Sequence, residues 1–131
     1  EVDAAQALLG LAEGGGEAAL VGTAAAFAPA LAARLPEMEW IAVHPATHRW
    51  SEAPGVARLA ASERLPFADR SLRGVLVRGL EGAAPLRDAA RVVAPGSRVA
   101  VLEAPEGAAA TLMGAGLKVV LEDAGVVVAR R

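Results

Sequence analysis

The chain has 131 residues and a mass of 13.2 kDa, enough for one ordinary domain and too little for a separate substrate domain. Counting the 14 glycines with the 54% hydrophobic residues brings the apolar share to about 65%, above the roughly 45–50% of soluble domains, which excludes intrinsic disorder. Thirteen basic against fifteen acidic residues leave a net charge of −2, without the basic stripe that a nucleic-acid partner needs, and the lack of cysteine removes disulfides, thiolate metal sites and cysteine nucleophiles together.

Ala4 to Ala12 reads as a short lead-in helix, stopped by Gly14-Gly15-Gly16. Ala18 to Val21 is an apolar run closed by Gly22, the pattern of a buried strand. Ala24 to Leu35 is helical by composition, with Phe27, Leu31 and Leu35 at four-residue spacing and Pro36 as the stop. Trp40 to Val43 gives a second strand, followed by His44-Pro45 and an irregular stretch to Pro54-Gly55. Val56 to Ala60 gives a third. Leu65-Pro66-Phe67 opens a loop containing Asp69 and Ser71, and Gly74 to Val77 forms the fourth strand. Ala83 to Val93 reads as a helix with Leu86, Ala89, Ala90 and Val93 on one face and Arg87, Asp88 and Arg91 outward. Pro95-Gly96 makes a turn, Arg98 to Leu102 a fifth strand, and Glu106 to Met113 a helix that ends at Gly114 and Gly116. Leu117 to Leu121 and Val126 to Ala129 are β-branched runs joined by Asp123-Ala124-Gly125, a link suited to an antiparallel hairpin.

The strands that alternate with helices are continuous apolar runs, as in a parallel sheet covered on both faces. The expected architecture is a three-layer α/β sandwich, one domain over residues 1–131. Its seven-stranded sheet is parallel through the first five strands and ends in an antiparallel hairpin. The longest uncharged stretch, Ala18 to Ala33, contains Gly22, Thr23 and Pro29 and falls short of the ~20 residues that span a bilayer. Glu1-Val2-Asp3 has the wrong charge for a secretory signal, so a cytoplasmic protein without membrane contact is expected.

Four segments then point to a family. They are Leu65-Pro66-Phe67-Ala68-Asp69-Arg70-Ser71-Leu72, Val75-Leu76-Val77, the helix from Leu86 to Val93, and Ala94-Pro95-Gly96-Ser97-Arg98-Val99. Together they resemble class I S-adenosylmethionine (SAM) methyltransferases, the methyltransferase type 11-like domains. There the stretch reads L-P-F-x-D-x-S-F-D-x-V, then a helix with A-R-V-L, then x-P-G-G-R. The final hairpin fits that family's last two strands. The resemblance implies a Rossmann-like methyltransferase sandwich with SAM held at the carboxyl ends of the strands.

It also marks the positions that hold the cofactor. The family's first strand runs into a glycine loop, commonly D-x-G-x-G-x-G, in which glycines let backbone approach the cofactor closely. Aligned through Phe27 and Leu31, the acid is Ala19 here and the glycines are Val21, Thr23 and Ala25. Shifted by one residue, Gly22 takes the first glycine while Ala24 and Ala26 fill the others. The family's ribose-binding acid at the end of the second strand is replaced by His44. The acid before L-P-F that reads the adenine amino group is Ala61, beside Ser62 and Glu63, and the usual S-F-D is Ser71-Leu72-Arg73. Two missing charge-assisted bonds at about 1.5–3 kcal/mol each weaken SAM by roughly 3–6 kcal/mol, a hundred-fold to ten-thousand-fold.

The scaffold half of the signature is present and the cofactor half is missing. The leading expectation is therefore a degenerate, non-catalytic pseudoenzyme that acts through protein association and takes no cofactor. A small, apolar-rich domain struggles to bury its surface alone, so a homodimer or a complex with a related subunit is expected, with Leu, Val and Trp residues in the contact. One alternative is a SAM-dependent methyltransferase with a non-standard cofactor site. The other is a binding module for a small anionic ligand. Its crevice positions are Gly22, Thr23, His44, Ser62 and Arg78, at or near the carboxyl ends of the strands. Arg78 either takes part in an anion pocket, with an acid such as Glu63 or Glu81 or an anion from solvent as its partner, or folds over the crevice and fills it. No catalytic residue and no metal site are expected. His44 and His48 are four apart without a third ligand, Gly14-Gly15-Gly16 lacks the ending of a phosphate loop, and no serine lies in a G-x-S-x-G context. Trp40 and Trp50 read as core or interface anchors.

Overall fold

Ala18 and Leu20 point to one side of strand β1 (Gly16–Gly22), Ala19 and Val21 to the other, and all four are buried. A strand apolar on both faces needs cover on both, and the chain supplies it; the structure, a computed structural model, describes residues 2–11, 14–47, 52–60 and 64–131. On one face lie helix α1 (Val2–Leu9), a 3-10 turn (Thr23–Phe27) and α2 (Ala28–Arg34); on the other lie α3 (Ala84–Val92) and α4 (Ala108–Gly114). Between them stand β1, β2 (Met38–Val43), β3 (Val56–Leu59), β4 (Leu72–Arg78), β5 (Val93–Leu102), β6 (Lys118–Asp123) and β7 (Val126–Arg130). The order is β3-β2-β1-β4-β5-β7-β6. The first five strands are parallel, and β7 runs antiparallel between β5 and β6. The expected sandwich and its closing hairpin are both present.

Several boundaries differ from expectation, each for a local reason. The single helix over Ala24–Leu35 is two elements. Pro29 sits in the first turn of α2, where its missing N–H costs nothing; its ring bars a continuous helix through residue 25, so the first turn winds as 3-10. Helix α1 stops at Leu9 because Gly10 takes φ +69°, and Ala12 lies outside the described residues. Val93 leaves the face of α3 and becomes the first residue of β5. Pro95-Gly96 is an excursion within that strand: Leu72 pairs with Val93 and Gly74 already pairs with Arg98. The last residue stitches the excursion down. The Gly96 amide donates to the Arg131 carbonyl at 3.0 Å, the Arg131 amide to Ser97 at 3.1 Å, and the Arg131 Nε to the Val93 carbonyl at 3.0 Å.

Trp40 is wholly buried, and its indole N–H donates to the Leu35 carbonyl at 3.2 Å. It belongs to the core and not to an interface; Trp50 lies outside the described residues. No described helix is long and apolar enough to cross a membrane. Among the described residues no three potential metal ligands gather, and His48 lies outside them.

Candidate functional site at the strand switch point

After β1 the chain turns toward β2, and after β4 it turns the other way, toward β5. In an open α/β sheet the ligand crevice lies outside the carboxyl ends of the strands at such a reversal, here between β1 and β4. The last register pair of those strands is Gly22 with Arg78. Gly22 adopts φ +74° and ψ −140°, and a Cβ there would run into the Arg78 carbonyl oxygen. Only glycine permits so close a crossing.

Thr23 follows and is bonded to Arg78 three times. Its hydroxyl donates to the Arg78 carbonyl at 3.2 Å and accepts from Arg78 Nε at 3.0 Å, and its carbonyl accepts from Arg78 Nη2 at 3.1 Å. The guanidinium carbon stands 4.8 Å from the centre of the Phe27 ring, a cation–π distance. The exit from β4 is closed in the same way: Gly79 takes φ +78°, and a Cβ there would sit 2.8 Å from the Thr23 hydroxyl. Arg78 therefore latches the loop after β1 to the end of β4, straight across the switch point. Among the described residues its partners are Thr23 and Phe27; of the two acids named for it, Glu81 is not a partner and Glu63 lies outside the described residues.

His44 stands at the end of β2, half-buried. Its amide donates to the Leu59 carbonyl at 3.1 Å, and its Nδ1 accepts the Ala46 amide at 3.0 Å, which braces the turn into Thr47. Ser62, with Ala61, lies outside the described residues. The fold thus brings Gly22, Thr23 and Arg78 into contact and places His44 on the next strand, past β1.

The L-P-F segment has a structural role that periodicity misread. Arg91 and Asp88, expected to face outward, turn onto the 65–69 loop. Arg91 donates to the Leu65 and Phe67 carbonyls at 2.8 Å each, to Asp69 Oδ1 at 2.7 Å and to Asp88 Oδ1 at 2.8 Å, while Asp88 accepts the Leu65 amide. The hydrogen bond from Arg91 holds the Asp69 carboxyl below its usual value. The visible signal was the Asp88–Arg91 pair, three residues apart on one helix. Phe27 reads from the sequence as a helix-face residue and an anchor for aligning the glycine loop, and nothing in its spacing marks it as the seat of a guanidinium.

Neither a protein-family model nor a curated protein matches the sequence. Solved structures do. The antibiotic-resistance methyltransferase Kmr is similar with a TM-score of 0.71 and 17% identity, over 99% of this chain and 93% of that one. The chain has the class I SAM-dependent methyltransferase fold. The same fold is shared with a Haloferax volcanii complex between the Trm112 methyltransferase activator and a protein described as a methyltransferase (TM-score 0.69, 18% identity, 93% of this chain and 70% of that chain). A protein described as a methyltransferase from an antibiotic biosynthesis pathway of Anabaena variabilis is similar with a TM-score of 0.64 and 22% identity, over 77% of this chain. The chain spans only 43% of that protein's length. Within the methyltransferase fold, the Gly22–Thr23–Arg78 latch lies at the carboxyl ends of β1 and β4, where the fold forms its crevice.

Proposed function

We propose that this methyltransferase-fold chain is a pseudoenzyme that acts through protein association and not through methyl transfer. The observation that carries the reading is the Arg78 latch. SAM is a sulfonium cation with a ribose diol; at the switch point this chain offers a second cation, and on β2 a histidine whose Nδ1 already accepts its own turn. In this reading the described residues at the switch point do not fit the cofactor. Opening the latch forfeits two guanidinium hydrogen bonds at about 0.5–1.5 kcal/mol each and a cation–π contact of about 0.5–1 kcal/mol. That cost of roughly 1.5–4 kcal/mol, about ten-fold to a thousand-fold in affinity, precedes any contact with SAM and adds to the missing acids.

One structural neighbour is held in a complex with a methyltransferase activator, which supports pairing of this fold with another protein. The length match to Kmr favours a second reading, a methyltransferase with a non-standard cofactor site. Calorimetric titration of the protein with SAM and S-adenosylhomocysteine separates the two. The first reading expects no saturable heat up to millimolar ligand, and a low-micromolar Kd would establish the second.

A further inference from the structure

We infer that two copies of this chain pair through their β6 strands, antiparallel about a two-fold axis. This rests on the association reading above and names its partner as a second copy. Strand β6 ends the sheet, so among the described residues one row of its backbone N–H and C=O groups has no strand beside it. Among the described residues the exposed large apolar side chains are Met113, Val120 and Leu121. All three lie on β6 or on α4, which packs against it.

Charge selects the occupant. The strand reads Lys118-Val119-Val120-Leu121-Glu122-Asp123, basic at one end and acidic at the other. Arg130, the β7 neighbour of Lys118, reinforces the basic end. Laid antiparallel on itself with the axis between Val120 and Leu121, the strand sets Lys118 opposite Asp123 of the copy, Val119 opposite Glu122, and Val120 opposite Leu121. The faces agree as well. The bulge between Val119 and Leu121 resets the alternation, so Lys118, Leu121 and Asp123 share one face while Val119 and Glu122 share the other. Slipping by one residue would set opposite faces against each other, and parallel pairing would set Lys118 against Lys118.

A bulge and a lysine are common edge defences. Here the lysine is at the strand end and the bulged residue is Val120, an apolar side chain left in solvent. The opposite edge, β3, is four residues long and carries Arg58 in its middle. A six-residue contact with Met113 at its flank is smaller than the ~1,200 Å² of a standard interface, so the dimer is expected in the micromolar range.

Light scattering after size exclusion at tens of micromolar tests this with charge reversal. Wild type is expected at about twice the 13.2 kDa chain mass. Lys118→Glu makes the strand all acidic, and Glu122→Lys with Asp123→Lys makes it all basic. Each variant, with unchanged circular dichroism and melting temperature, should self-associate at least ten-fold more weakly, and an equimolar mixture should restore the dimer. A monomeric wild type, variants that remain dimeric, or a mixture that stays monomeric would overturn the inference. Dimeric variants would leave association standing through another face. Low-micromolar SAM binding would instead overturn the association reading and leave the β6 result to stand on the scattering data.

Discussion

The hydroxyl of Thr23 gives its hydrogen to the Arg78 carbonyl and takes one from the Arg78 Nε, so a single small side chain closes both sides of the latch. Arg78→Ala removes the guanidinium bonds and the Phe27 contact and should cost about 1.5–4 kcal/mol, read as a lower urea midpoint at unchanged slope. Arg78→Lys keeps the charge but cannot reach the Thr23 hydroxyl and carbonyl with one planar fork, so it should recover less than half of that loss. Gly22→Ala should also cost upward of about 2 kcal/mol, because it combines a positive φ with a collision against backbone. The position of Arg78 was legible from the sequence, since it directly follows an apolar run. Its partner was not, because Thr23 is 55 residues away and joins it only through strand pairing.

Strands and helices meet through polar ties that pH can probe. The guanidinium of Arg91, through its hydrogen bond, keeps the folded-state pKa of Asp69 below the ordinary 3.8. Arg34 does the same for Asp3, so helix α1 is tied to α2 by an ion pair. A lowered folded pKa stabilises fully above the unfolded value and is lost as pH falls through the folded one, so both ties should weaken below pH 3.8. Asp69→Asn should flatten the acid limb of the stability curve, read by denaturation across that range. Glu17 and Glu39 face each other in the β1–β2 register and act oppositely. A hydrogen bond shared with Glu39 raises the Glu17 pKa above 4.5, so its contribution is favourable below that value and lost as pH rises through the folded one. Glu17→Gln should therefore raise the urea midpoint at neutral pH. Trp40→Ala, which empties the core under α2 and frees the Leu35 carbonyl, should cost about 3–5 kcal/mol and broaden near-ultraviolet dichroism.

In the molecule as a whole, the sheet divides two cores, one under α1 and α2 and the other under α3 and α4. Arginines fasten the layers by donating to backbone carbonyls: Arg73 to Gly15, Arg78 to Thr23, Arg91 to Leu65 and Phe67, Arg98 to Leu8, and Arg131 to Val93 and Ala90. The strand succession was legible because buried parallel strands are unbroken apolar runs, and Val126 to Ala129 with Asp123-Ala124-Gly125 marked the hairpin. The start of β5 was not, because Pro95-Gly96 reads locally as a turn and becomes strand only through Arg131, at the far end of the chain. The division of Ala24–Leu35 was within reach, since Pro29 lies in its middle. Ala19 and His44, where the resemblance leads one to expect acids, could be read from the sequence, whereas the Thr23–Arg78 latch depends on contacts no window of sequence contains. In the pseudoenzyme proposed above, that latch stays closed in the presence of SAM. The most direct measurement follows the backbone amide resonances of Gly22, Thr23 and Gly79 and the Nε–H resonance of Arg78 while S-adenosylhomocysteine is added to millimolar concentration. A closed latch predicts an observable Arg78 Nε–H signal and no saturable shift at any of these groups, and saturable shifts centred on them would contradict the account.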